Sequence, residues 1–132
     1  MSHIDTVREI YAAFGRGDVP AILERLGDDV EWEYGATPTD VPWLQPRRGR
    51  AGAAAFFQSL AAIDIETFVL KAIMGDGDTV VGLVDLQATV RSSGKKLREE
   101  DEVHLWHFGP DGKVSRFRHR VDTYQHVQAL RA

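Results

Sequence analysis

The spacing of apolar residues divides the chain into a helical first half and a strand-rich second half. Apolar side chains recur at helical spacing between residues 7 and 14, after Ser2 and Asp5 at the positions of a capping box. This pattern predicts a first helix that ends at Gly15. Asp18 is a suitable cap for a second helix, and an alanine-rich run with inward Phe56 and Phe57 predicts a third over residues 51–62.

The period of the apolar pattern changes to two near residue 66. A short strand is predicted earlier, over residues 30–34, where Trp32 and Tyr34 would share one face. Four longer strands then form a meander, which covers residues 66–74, 79–90, 96–108 and 113–122. The last ten residues, 123–132, fit either a short helix or a frayed tail. Helices gathered before an antiparallel sheet indicate an α+β domain.

Residues 35–49 interrupt both patterns. They hold three prolines, with Trp43 among them, so regular structure is not expected there. A connection of this length fits two interpretations. It is either a lid over a site or a surface loop whose Trp43 fills a gap in the core.

Composition narrows the class of protein. The chain has 132 residues, of which 43% are hydrophobic and 27% charged, as expected for one soluble globular domain over residues 1–132. It has no cysteine, which excludes disulfides, thiolate metal sites and a cysteine nucleophile. A net charge of −4 argues against a nucleic-acid partner. With no signal-peptide pattern and no bilayer-length apolar run, we expect no membrane partner and a cytoplasmic location.

The alternation of residue types along the last strand predicts which of its side chains point inward. One face would carry three arginines in alternation, Arg116, Arg118 and Arg120, and the other would carry Phe117 and His119. Three arginines cannot line an apolar interior without partners, because each buried charge needs compensation. His119 is therefore expected to lie among apolar neighbours.

The facing strand allows two registers. If its turn is a three-residue bulged hairpin, Val103 lies opposite His119 and the odd-numbered side chains point inward. If the turn has four residues, Glu102 lies opposite His119 and the even-numbered side chains, including His104 and Trp106, point inward. A one-residue slip exchanges the two faces, so the residues alone leave both registers open.

A set of short motifs in order resembles a known family. The motifs are Tyr11-Ala-Ala-Phe14, Gly17-Asp18, Asp28-Asp29-Val30, Trp32, Arg48-Gly49-Arg50, Phe56-Phe57, Asp111-Gly112-Lys113-Val114 and Asp122. Together, over residues 4–124, they resemble the SnoaL-like branch of the NTF2-like superfamily, which also holds ketosteroid isomerases and limonene-epoxide hydrolase. The resemblance implies an α+β cone, in which a curved mixed or antiparallel sheet wraps around three helices and encloses a pocket.

The resemblance also implies a pocket and its partners. It favours the even-numbered face, because SnoaL-type cyclases carry a histidine at the position of His104. The expected acid–base residues are His119 as base, oriented by Glu102, with His104 or Tyr34 as hydrogen-bond donor. The expected pocket wall consists of Trp32, Trp43, Phe57, Trp106 and Phe117. Dimers are usual in the family, so a homodimer is expected, formed through the outer sheet face.

Two functions remain open from the sequence. One is isomerisation or cyclisation of a small apolar carbonyl compound, and the other is a non-catalytic module that binds a small apolar or aromatic ligand or mediates dimerisation. Steroid isomerisation is disfavoured, because Tyr34 stands where ketosteroid isomerases place their base. Epoxide hydrolysis is disfavoured, because His119 replaces the last-strand Asp of limonene-epoxide hydrolase. No cofactor or metal is expected, although two histidines and Glu102 could in principle ligate zinc or iron.

Overall fold

A computed structural model of the protein describes residues 1–131. Ala132, the last residue of both the predicted domain (1–132) and the predicted terminal segment (123–132), lies outside the described residues. The helices are α1 (His3–Gly15), α2 (Val19–Leu23), α3 (Gly49–Ser59), continued by a 3₁₀ turn (Leu60–Ala62), and α4 (Thr123–Leu130). The strands are β1 (Leu26–Trp32), β2 (Arg47–Arg48), β3 (Ile63–Asp76), β4 (Thr79–Val90), β5 (Lys96–Phe108) and β6 (Val114–Arg120).

The six strands form one curved, mixed sheet in the order β2-β1-β6-β5-β4-β3. Strands β3 to β6 make an antiparallel meander, and β1 runs parallel to β6 at the far end. The helices pack on the concave side. The predicted α+β cone is therefore confirmed, with the two-residue strand β2 as an addition within the proline-containing segment.

Local hydrogen bonds explain where three helices begin. The hydroxyl of Ser2 accepts a hydrogen bond from the Asp5 backbone at 3.0 Å, and the Asp5 carboxylate accepts one from the Ser2 backbone at 3.2 Å. Asp18 caps α2 through the Ala21 backbone N–H at 3.1 Å. Asp122 caps α4 in the same way, so the terminal segment is a helix rather than a frayed tail.

Two residues in left-handed backbone conformation reverse the alternation of side chains, and the simple alternation predicted from the sequence is wrong at both. Glu33 has φ 59° directly after β1, so its side chain turns inward and Tyr34 turns outward. Asp101 has φ 58° in a β-bulge of β5, where Glu99 pairs with Leu86 of β4 while Glu102 pairs with Val84. Because of the bulge, Glu99 and Glu102 are both buried.

The hairpin between β5 and β6 adopts a register that neither predicted alternative contained. His104 lies directly opposite His119, and Trp106 lies opposite Phe117. Phe108 pairs with Val114, as in the register that places Val103 opposite His119, and a register shift between His107 and Phe108 moves the remaining pairs by one residue. The even-numbered side chains of this part of β5 point inward, as the resemblance implied, but Glu102 does not face His119 across the ladder. No helix within residues 1–131 has the length and apolar character that crossing a bilayer requires.

Candidate functional site

The concave face of the sheet and the helices enclose a pocket with a cavity of about 80 Å³. Its walls are mainly aromatic, and all five aromatic residues expected from the sequence lie on them: Trp32, Trp43, Phe57, Trp106 and Phe117. Phe117 stacks on Trp32 with ring centroids 4.2 Å apart and lies 4.4 Å from Trp106. Four polar side chains interrupt this apolar lining, namely Glu102, His104, His119 and His126.

A chain of hydrogen bonds fixes the orientation of His104. The Trp106 indole can only donate, so the Tyr11 oxygen accepts its N–H at 3.2 Å. The Tyr11 hydroxyl then donates to Nδ1 of His104 at 2.7 Å, and Nε2 of His104 donates to Oε2 of Glu102. Burial lowers the pKa of His104 despite the nearby Glu102, which agrees with a neutral imidazole. Both ring nitrogens of His104 are thus engaged within the protein.

Glu102, which lines the pocket, has one carboxylate oxygen engaged and the other without a partner. Oε2 accepts from His104, whereas Oε1 is buried and has no hydrogen-bond partner among the described residues. Burial opposes ionisation of this carboxyl, but the hydrogen bond from His104 and the charge of His119 outweigh it. The net result is a lowered pKa, so Glu102 is a carboxylate at neutral pH. An unpartnered buried carboxylate oxygen is costly unless water or a ligand satisfies it.

His119 is held by Glu33, not by Glu102. The Glu33 carboxylate accepts the His119 backbone N–H at 2.7 Å and a second hydrogen bond from Nδ1 of the ring. Burial favours the neutral ring, but Glu33, supported by the charges of Glu102 and Glu99, outweighs burial and raises the pKa of His119. Nε2 of His119 makes no hydrogen bond within residues 1–131. Its ring centroid is 6.1 Å from that of His104.

Tyr34 lies outside the pocket, so its expected place at the site is corrected. Its hydroxyl hydrogen-bonds Nε2 of His107 at 2.7 Å, and the guanidinium of Arg116 covers its ring at 4.7 Å. Both partners belong to the outer face of the sheet. The physical reason is the left-handed backbone of Glu33, which sends Tyr34 to the face opposite Trp32.

A third buried imidazole closes one end of the pocket. The Trp43 indole donates to Nδ1 of His126 at 2.9 Å, and Nε2 of His126 donates to Glu99 at 2.8 Å. Glu99 also accepts the backbone N–H of Asp122, directly before α4. Both ring nitrogens of His126 are satisfied, which fits a structural role. Trp43 thus both fills the core and lines the pocket.

Comparison with known proteins identifies the family to which this fold belongs. The model of the SnoaL-like domain family matches residues 7–117. The chain belongs to the SnoaL-like family. A search of curated proteins finds no match. Among solved structures, an NTF2-like protein of unknown function from Burkholderia pseudomallei is 27% identical over 100% of both chains, with a TM-score of 0.82.

Two other solved structures extend the comparison. An NTF2-like protein from Burkholderia thailandensis is 26% identical, with a TM-score of 0.84, over 100% of this chain and 99% of the other. TerC, crystallised with polyporic acid, is 24% identical over 96% of both chains, with a TM-score of 0.79. At that identity, TerC shows only that the fold is shared.

Three acidic or imidazole groups of this SnoaL-like protein were not among the residues expected at the site: Glu33, Glu99 and His126. Glu33 and Glu99 face inward only because of the left-handed residues at positions 33 and 101. An Asp at a bulge is a weak sequence signal, since Asp tolerates left-handed backbone better than most residues. Glu33 offers no such signal.

The site combines two reactive atoms in one apolar pocket. Oε1 of Glu102 can accept a proton or a hydrogen bond, and Nε2 of His119 can donate or accept one. The buried indole N–H of Trp32 also has no partner among the described residues, which leaves a further donor at the wall. This arrangement can move a proton on a bound molecule and stabilise a charge that develops on it.

Proposed function

We propose that this SnoaL-like protein is an acid–base isomerase or cyclase that acts on a small, mostly apolar carbonyl compound. One observation carries the proposal. A carboxylate oxygen without a partner, Oε1 of Glu102, and the open Nε2 of His119 belong to residues that line the same aromatic pocket.

In the proposed reaction, Glu102 is the base. Its Oε1 removes a proton from the carbon next to the substrate carbonyl, and the electron pair of that C–H bond forms the enol double bond. The low pKa of Glu102 limits it to substrates whose C–H is acidified by the carbonyl and by conjugation. Protonated Glu102 then returns the proton to another carbon, which gives an isomer. In a cyclisation the enol carbon instead attacks a second carbonyl carbon of the substrate, the π pair of that carbonyl moves to its oxygen, and Glu102 returns the proton to that oxygen.

His119 is the proposed donor to the carbonyl oxygen. Its raised pKa favours the imidazolium, whose Nε2–H would bond to the oxygen as negative charge develops there. Glu33 fixes Nδ1 and so directs Nε2 away from itself. His104 and Tyr11 are positioning residues, because their polar atoms hold Glu102 and each other. These roles differ from those expected from the sequence: Glu102 replaces His119 as the base, and His119, oriented by Glu33, replaces His104 or Tyr34 as the donor.

The lining and the size of the pocket favour an apolar substrate that enters by displacing side chains. A cavity of about 80 Å³ is smaller than the roughly 150 Å³ that accommodates benzene in an engineered core. Phe57 and Phe68 are only partly buried at the pocket wall, so they can rotate to admit a larger molecule. TerC, which shares the fold, was crystallised with polyporic acid.

Hydrogen–deuterium exchange tests this function even where the product of the reaction is unidentified. A panel of polycyclic ketones is incubated with the protein in D₂O, and loss of the α-proton signal is followed by NMR. Glu102→Gln and His119→Ala are each expected to lower the exchange rate by about 10²–10⁴-fold. Glu100→Gln is the matched control, because Glu100 is an exposed neighbour on the same strand.

Two results would overturn the mechanism. One is exchange that persists at full rate in both site variants. The other is saturable binding of several ketones by the wild-type protein without any exchange, which would support the non-catalytic binding module instead. Ligand binding is therefore measured separately, through the fluorescence of the pocket tryptophans.

A further inference from the structure

A second cavity lies behind the Glu33–His119 pair and has a different character from the pocket. It measures about 250 Å³ and is bordered by the segment after β1, the end of β6 and the start of α4. Its polar lining consists of Glu33, Thr37, Thr39, Arg118, His119, Arg120 and Thr123. Two arginines and three threonines therefore border one space, and Glu33 is the only acidic residue among its described lining residues.

The charges of these two arginines are not compensated by the protein. Four other arginines each pair with a carboxylate: Arg16, Arg48, Arg50 and Arg91. Within residues 1–131, neither Arg118 nor Arg120 forms such a pair. Glu33, whose Oε1 accepts both hydrogen bonds from His119, forms no ion pair with either arginine. Arg118 and Arg120 therefore place two uncompensated positive charges at the edge of the same cavity.

Arg118 is held in place by the backbone. One of its terminal nitrogens donates to the carbonyl oxygen of Tyr34 at 3.2 Å. The same nitrogen packs against Gly35, where a Cβ would lie only 3.2 Å from it. Its Nε is buried and has no partner within the described part of the chain. The guanidinium is thus positioned before any ligand arrives and retains an unused donor.

From this arrangement we infer that the second cavity binds an oxyanion, a phosphate or carboxylate group, between Arg118 and Arg120. A planar guanidinium presents paired donors that match the oxygens of both groups. The hydroxyls of Thr37 and Thr123 can supply neutral donors. The inference does not depend on the proposed reaction in the aromatic pocket.

The position of the cavity gives the bound anion an influence on the pocket. His119 borders both spaces. A negative charge next to it favours the imidazolium, so an occupied second cavity should raise the pKa of His119 further. The anion would thereby act on the proposed donor without entering the aromatic pocket. Free phosphate and the carboxylate of a small molecule are the two possible sources.

NMR titration of the whole protein tests the site. Sodium phosphate and sodium acetate are added separately, with sodium chloride at equal ionic strength as reference. The side-chain Nε–H signal of Arg118 and the backbone N–H signal of His119 are followed, and the second is present in every variant. We expect a saturable shift with at least one oxyanion and none with chloride. The oxyanion that saturates at the lower concentration identifies the source.

Variants on one strand make the test specific. Arg118→Gln and Arg120→Gln should each weaken binding about tenfold or more, because each removes a charged hydrogen bond. Arg116→Gln is the matched control, since Arg116 covers the Tyr34 ring and does not border the cavity. Arg120 is exposed, so its variant should fold even if the loss of Arg118 disturbs the loop. Shifts that are equal in chloride, or affinities unchanged in both variants, would overturn the inference.

Discussion

Replacing Glu33 by Gln should remove most of what holds the His119 ring charged and oriented. Glu33 and His119 are 3% and 9% exposed, so water cannot replace the lost charge. The variant can keep the backbone bond to His119 N, because the Gln amide oxygen can still accept it. It loses the charged bond to Nδ1. Hydrogen bonds to charged groups contribute about 1.5–3 kcal/mol, and we expect a loss of that order.

The pH dependence of this loss has a definite sign. The pKa of His119 is raised in the folded protein, so its contribution to the free energy of unfolding is fully present below its unfolded pKa. That contribution disappears as pH rises through the higher folded pKa. The difference between wild type and Glu33→Gln should therefore be larger at pH 5.5 than at pH 8. In the variant, burial remains and lowers the pKa of His119.

Urea denaturation at both pH values measures the effect. The comparison uses the difference between proteins because His104 and His107 have lowered pKa values, and their titration changes stability in the opposite direction. Glu31→Gln is the control, since Glu31 forms an exposed pair with Arg48 at 3.0 Å, a type that contributes at most about 1 kcal/mol. A Glu33→Gln loss that is the same at pH 5.5 and pH 8 would refute the assignment of Glu33 as the group that raises the pKa of His119.

Four further outcomes are expected. Gly82→Ala should destabilise the fold by about 1–3 kcal/mol in urea titrations, because the new Cβ would meet the Tyr11 hydroxyl at 2.5 Å; a stability equal to wild type would contradict the close contact. Phe117→Ala should cost about 3–5 kcal/mol by the same measurement, since its buried ring packs against Trp32 and Trp106; a cost below 1 kcal/mol would contradict that packing. Asp122→Ala should cost about 1 kcal/mol and lower helical circular dichroism through loss of the α4 cap, and an unchanged spectrum would count against it. Light scattering should give twice the 14.7 kDa chain mass, and Val69→Lys, on the exposed outer face, should return it to the monomer value; a wild-type monomer at micromolar concentration would contradict the dimer.

Most of the fold could be predicted because apolar spacing dominates its long elements. Strands β4 and β5 have the bounds that their alternation predicts, and the caps at Ser2 and Asp18 mark real helix starts. The inward direction of His119 followed from the cost of burying arginines. These features depend on strong local or burial energies that a single sequence displays.

The partners of the site residues could not be predicted, because they depend on single backbone positions. Left-handed conformations at Glu33 and Asp101 each reverse the alternation that follows, and a shift at His107 changes the hairpin register. Such conformations cost on the order of 1–3 kcal/mol and persist only where the surrounding fold enforces them. Tertiary contacts decide them, so Glu33 could not be assigned to His119 from spacing.

The three buried imidazole–carboxylate pairs have a consequence for how this protein can change over generations. Glu33 with His119, Glu102 with His104, and Glu99 with His126 each place a carboxylate and its donor away from water. Loss of one partner leaves the other buried without a hydrogen-bond partner, which destabilises the fold. Replacing both by apolar groups of similar shape can leave stability nearly unchanged. Accepted substitutions should therefore arrive in pairs at these positions. A homologue that keeps the Glu99–His126 pair but has exchanged the other two would retain the scaffold while having acquired a different chemistry.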